Sequence, residues 1–111
     1  MIAASVQKDH LPPLGADLNY LTFSGMSSGS IMAMQLHIVH SSLIKGVALH
    51  AGGPYGQSVL DLEKTANRAN KLAKRASKNG TIDKLGNLKD SPVYISSGKN
   101  DQIVRKAFQS K

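Results

Sequence analysis

Apolar positions along the chain fall into short dense runs alternating with longer stretches of helical spacing. After a loop-like lead, Leu11-Pro12-Pro13-Leu14-Gly15, the run Leu18-Asn19-Tyr20-Leu21-Thr22-Phe23 predicts a short buried strand ending at Gly25. Ser30 to His40 predicts a helix, with Ile31, Met34, Leu36 and Ile38 as its apolar content and Ser41-Ser42 as its break. Leu43 to Leu49 predicts a second strand, closed by the turn-rich Ala51-Gly52-Gly53-Pro54-Tyr55-Gly56. From Val59 to Lys78, Leu62, Ala66, Ala69, Ala73 and Ala76 recur at steps of three and four, predicting a helix that stops at Asn79-Gly80. Pro92 to Ser97 predicts a third strand ending at Gly98, and Ile103 begins a further helix.

Strand and helix therefore alternate three times, an order that predicts an α/β fold with a parallel sheet covered by helices. No repeat, low-complexity stretch or domain boundary interrupts residues 1–111, which are expected to form one domain large enough to bury a core.

Composition excludes several classes. With 41% hydrophobic and 19% charged residues the chain is of the globular type. No apolar run approaches the ~18 residues of a spanning helix, so no membrane span is expected. The absence of cysteine rules out disulfides, thiolate metal sites and cysteine nucleophiles. Met1-Ile2-Ala3-Ala4-Ser5 is too short for a signal peptide and lacks a basic leader, so no secretion signal is expected within this sequence.

The net charge of +7 points either to an anionic partner or to a well-solvated basic surface. Much of it is concentrated in Lys64, Arg68, Lys71, Lys74, Arg75 and Lys78. That segment has no aromatic residue for base stacking and matches no nucleic-acid motif, so no specific nucleic-acid partner is expected. A basic module for nucleic acid or an anionic surface stands as the alternative reading of the chain.

Gly25-Met26-Ser27-Ser28-Gly29 fits G-x-S-x-G between a predicted strand and a predicted helix. A serine hydroxyl is a weak nucleophile and must stand free where a histidine can take its proton. A sharp strand-to-helix turn, the nucleophile elbow of α/β-hydrolase-type serine esterases, achieves this at the cost of backbone strain at the serine. It also crowds the residues two before and two after, which glycines at 25 and 29 are expected to relieve. Ser27 is then the nucleophile, and the backbone N–H of Ser28 is an oxyanion donor. The alternative is a serine-rich turn in which Ser27 or Ser28 merely caps the helix.

Asp101 follows the third predicted strand in Gly98-Lys99-Asn100-Asp101, where a triad acid would orient a histidine. The same aspartate could simply cap the next helix. His10, His37, His40 and His50 all precede it, whereas this fold class orders its triad Ser, Asp, His. His37 and His40 read as surface or packing residues. His50 ends the strand beside the elbow but stands in the wrong order for the base. The sequence is thus expected to stop before its catalytic histidine.

These residues resemble poly(3-hydroxybutyrate) depolymerases. The resemblance rests on Phe23 to Ala33, on Gly46-Val47, on Ala51-Gly52-Gly53-Pro54-Tyr55, and on the later blocks Gly80 to Asp83, Asn87-Leu88 and Val93 to Val104. It spans about residues 11 to 104. It implies a secreted or periplasmic serine esterase with a polyester or short-chain ester substrate, an acyl-enzyme on Ser27, Asp101 as the acid, and neither metal nor cofactor. Relatives with the elbow so near the start carry a circularly permuted α/β-hydrolase sheet, which the short lead here suits. The chain departs from the pattern in lacking the cysteine relatives usually carry after GGPY, the catalytic histidine with the strands expected after it, and a signal peptide, so an N-terminal fragment or a truncated gene product is expected. An esterase or peptidase acting on other acyl substrates is the alternative within the fold, since fold does not set substrate. A three-strand piece of a larger sheet is also expected to self-associate.

Overall fold

The computed structural model describes residues 10–56 and 66–104. Strands β1 (Thr22–Met26), β2 (Gly46–His50) and β3 (Val93–Ser96) form one parallel sheet in the order β1-β2-β3. Helix α1 (Ser28–Val39) connects the first two strands, and helix α2 (Ala66–Lys78) lies between the second and third. This is a partial α/β fold, as the alternation of runs predicts. Among the described residues, no helix is long and apolar enough to cross a membrane.

The core forms where α1 crosses the central strand. Val47 and Leu49 point to one face of β2, because side chains alternate along a strand, and they pack with Ala33 and Ile44. Leu21, Met34 and Leu36 close the rim of this cluster. In the parallel register Phe23 and Val93 flank Val47, while Gly25 and Ile95 flank Leu49. The opposite face carries Ser24 and Met26, Ala48 and His50, Tyr94 and Ser96.

Three boundaries differ from the sequence expectation. Leu18–Tyr20 is a single 3-10 turn and not strand, because the Asp17 carboxylate caps it by accepting from the Asn19 N–H at 2.9 Å. The strand starts later and is an exposed edge instead of a buried element; Phe23 is 37% exposed. Leu43 ends the turn that closes α1, where Leu43 and Ile44 N–H both bond the His40 carbonyl, and β2 begins only at Gly46. Residues 102–104 form bends; the remainder of the helix expected from Ile103, and the start of the one expected from Val59, lie outside the described residues.

The break at Ser41-Ser42 is tied to the segment before β3. Ser42 donates from both its N–H (3.0 Å) and its hydroxyl (2.5 Å) to Asp83, and these bonds hold the Asp83 carboxyl below its ordinary range. Ser41 donates to the Lys84 carbonyl at 3.2 Å. On α2, Ala69 and Ala73 are buried. Arg68, Lys71, Arg75 and Lys78, at successive steps of three or four, are all exposed along one stripe. The basic residues therefore share a solvent face.

Candidate active site

Parallel strands bring their C-terminal ends to one edge of a sheet, where ligand sites of open α/β sheets lie. Here Met26, His50 and Ser96 stand side by side at that edge. Ser27 follows the first of them directly, and Asp101 follows the last through a short turn closed by its own N–H on the Gly98 carbonyl at 3.2 Å. The strands carrying Ser27 and Asp101 are two spacings apart, about 10 Å, with β2 between them.

Ser27 has φ +53° and ψ −120°, one of only two non-glycine residues with positive φ among those described. Such a backbone costs on the order of 1–3 kcal/mol and persists only where its surroundings over-determine it. Two bonds do so: the Ser27 N–H donates to the His50 carbonyl at 2.8 Å, and its carbonyl accepts from Ile31 N–H at 3.1 Å. Ser27 occupies the N-cap position of α1 yet makes no side-chain capping bond. An ordinary capping serine has an extended backbone and spends its hydroxyl on the helix. Ser27 does neither, and its side chain is exposed.

Glycine is needed on only one side of this turn. A Cβ at Gly25 would overlap the Gly29 carbonyl group and stand 2.7 Å from the Ser30 nitrogen, whereas one at Gly29 would meet open space. The crowding expected at both positions thus falls on Gly25 alone, because the first turn of α1 folds back over β1 and leaves the Gly29 side outward. Ser28 is the first residue of α1. Its N–H belongs to the first turn, whose donors have no intrahelical acceptor.

Asp101 caps the chain that follows it: Oδ1 accepts from Ile103 N–H at 2.9 Å and Val104 N–H at 3.0 Å. The capping role foreseen for this residue is therefore real. It occupies Oδ1, and among the described residues no bond to the second carboxylate oxygen is found.

The histidines divide by environment. His37 is 2% exposed, and its Nε2 lies 2.7 Å from the Ser91 hydroxyl, which itself donates to the Lys45 carbonyl at 3.0 Å. A hydroxyl has one proton to give, so Nε2 carries the hydrogen and His37 is a neutral packing residue, its pKa pushed down by burial. His40 is exposed at the C-cap of α1, near Asp83. His50 stands at the edge itself, with Nδ1 2.6 Å from the Ser96 hydroxyl and its ring 5.7 Å from that of Tyr94.

Sequence reasoning missed Ala51, whose φ of +51° turns the chain into Gly52-Gly53 while its N–H bonds the Ser96 carbonyl at 2.9 Å. It also missed the bond from Gly56 N–H to Gln35 Oε1 at 2.9 Å, which straps the GGPY turn to α1. The density of turn residues from 51 to 56 was the only signal for either.

The architecture is a parallel α/β sheet whose C-terminal edge carries a strained serine and, two strands away, an aspartate. Comparison with known proteins narrows this class: the chain is similar to poly(3-hydroxybutyrate) depolymerases. It is 33% identical to a "Poly(3-hydroxybutyrate) depolymerase" of Delftia acidovorans over 86% of this chain and 22% of that protein. It is 41% identical to a "Polyhydroxybutyrate depolymerase" of Talaromyces funiculosus over 48% of this chain and 16% of the relative. The chain therefore spans about a fifth of the length of the curated relatives it matches. No family model and no solved structure matches it.

Proposed function

We propose that the chain is the nucleophile-to-acid part of an α/β-hydrolase catalytic domain, circularly permuted, that hydrolyses esters of poly(3-hydroxybutyrate) or short hydroxyalkanoate oligomers. Ser27 Oγ attacks the ester carbonyl, and its proton passes to an imidazole. The Ser28 N–H bonds the oxyanion of the tetrahedral intermediate. Collapse expels the alcohol, which takes the proton from the imidazolium, and water then hydrolyses the acyl-enzyme by the same steps. Asp101 orients the imidazole, which this reading draws from chain outside these residues.

The observation that carries the reading is the unused hydroxyl of Ser27 on a strained backbone. The turn holds that strain without using the side chain for capping, which fits a group presented to a substrate. The names of the relatives support the polyester class, and with it an extracellular or periplasmic setting. Other acyl substrates remain compatible with the same nucleophile and fold.

Ester hydrolysis tests the reading. The 111-residue chain alone is expected to turn over a short-chain nitrophenyl ester feebly, because loss of a triad member leaves only about 10³–10⁴-fold over water. Added imidazole should raise the rate by an increment that Ser27→Ala abolishes. An increment identical in the two proteins would sink Ser27 as nucleophile. Robust turnover without imidazole would place the base inside this chain.

A further inference from the structure

His50 belongs to two turns at once. Its backbone carbonyl receives the Ser27 N–H at 2.8 Å and so holds the strained residue from the β2 side. Its side chain belongs to β3: Nδ1 lies 2.6 Å from the Ser96 hydroxyl, and the ring packs on Tyr94 with centroids 5.7 Å apart and planes tilted by 55°. Ser96 is the last residue of β3 and leads through Gly98 into the turn that ends at Asp101. One residue further on, Ala51 repeats the link in the backbone by donating to the Ser96 carbonyl at 2.9 Å.

We propose that His50 is a positioning residue that fixes the serine turn and the aspartate turn relative to each other, through its carbonyl on one side and its imidazole on the other. The inference rests on the reading of Ser27 and Asp101 as members of one site. Catalytic groups must be held within about 0.5 Å of their working geometry, and here the two belong to strands that do not touch each other. Among the described residues β2 is the strand that lies between them. A side chain at its end that bonds across to β3 adds a side-chain link to the backbone bonds that Ser27 and Ala51 make there, and so further stiffens the separation. Histidine suits the position because its flat ring both packs at a tilt against Tyr94 and presents Nδ1 to the Ser96 hydroxyl.

Amide hydrogen exchange of the 111-residue chain by NMR tests this without requiring activity. The amides to follow are Ser27, Ile103 and Val104, with Val47 as a core reference. His50→Ala is expected to speed exchange at all three by about five- to tenfold, the equivalent of one lost hydrogen bond, with Val47 unchanged. His50→Asn places an amide where Nδ1 stood and should restore most of the protection. Ser96→Ala should loosen Ile103 and Val104 as His50→Ala does, and it supplies the answer if His50→Ala fails to fold. Faster exchange at Ser27 with Ile103 and Val104 unmoved in every variant would overturn the coupling. So would uniform change that includes Val47, which marks a merely structural role. The imidazole-dependent ester assay reports separately on Ser27, so an inert serine with coupled exchange would refute the nucleophile reading and leave the linkage standing.

Discussion

The hydroxyl of Ser30 fills the space that a side chain at position 52 would need: a Cβ on Gly52 would overlap Ser30 Oγ and come within 2.9 Å of its Cβ. Ser30 is wholly buried, and its Oγ has no hydrogen-bond partner among the described residues. The GGPY turn thus seats Gly52 on Ser30 by shape, while the Gly56–Gln35 bond straps it to α1 further along the helix. Gly52→Ala should lower stability by about 1–3 kcal/mol through overpacking. Ser30→Ala removes an unsatisfied buried hydroxyl and should be neutral or stabilising by up to about 1 kcal/mol. Denaturant melts of both variants check this, and a strongly destabilised Ser30→Ala would mean that the hydroxyl has a partner.

The two glycines of the pentapeptide should behave oppositely. Gly25→Ala forces a Cβ into the backbone of Gly29 and Ser30, which cannot move without unwinding the start of α1, and should cost about 3 kcal/mol or more. Gly29→Ala meets open space inside a helix and should gain about 0.5–1 kcal/mol. Thermal melting that ranks them equally would contradict the geometry.

Acid should weaken the fold through His37. Burial lowers its pKa below the ordinary 6.5, so the unfolded chain binds this proton more readily than the folded one. The corresponding stability is complete above pH 6.5, declines as pH falls below that value, and levels off once the folded histidine is protonated. His37→Gln keeps the donor to Ser91 and should flatten the slope in that window. Asp83 acts in a separate range: its lowered pKa adds stability that is present above about 3.8 and lost as pH falls through its folded value. Urea midpoints measured from pH 7.5 to 5 for the two proteins decide the His37 prediction.

Asp101 offers a clean separation of structure from chemistry. Asp101→Asn retains an oxygen for Ile103 and Val104 N–H and should leave stability within about 0.5 kcal/mol. It removes the charge that would stabilise an imidazolium, so the imidazole-dependent increment should fall at least tenfold. Asp101→Ala should lose both the cap, worth about 1 kcal/mol, and the increment. An unchanged increment in Asp101→Asn would confine this residue to capping.

The sheet should recruit a partner. β1 and β3 are its edges among the described residues, and β3 exposes Val93, Tyr94 and Ile95. Edge strands of this kind pair with other chains. Size-exclusion chromatography of the 111-residue chain should show concentration-dependent association, which Ile95→Lys, placing a charge on the edge strand, should reduce. A monomer at all concentrations with a sharp melt would contradict this.

How far the sequence reached differs from element to element, for physical reasons. The alternation of apolar runs and helical spacing carries the α/β class, because strand and helix periodicities are local properties of the chain. G-x-S-x-G between such elements locates the strained turn, since the steric need at Gly25 is created by neighbours within five residues. Leu18–Tyr20 was out of reach: its apolar side chains look like strand, and a single Asp17 capping bond decides otherwise. Gly29 looked as constrained as Gly25 until the path of α1 showed which side is crowded.

Relations between distant residues were settled by tertiary structure alone. His37 reads the same as His40 in the sequence, yet packing puts one beside Ser91 in the core and the other in water. His50 acquires its link to Ser96 only because β2 and β3 pair in a register that sets the two side by side. Local spacing is written into consecutive residues and can be read there. Register, burial and cross-strand bonds depend on which segments meet, and folding alone decides that.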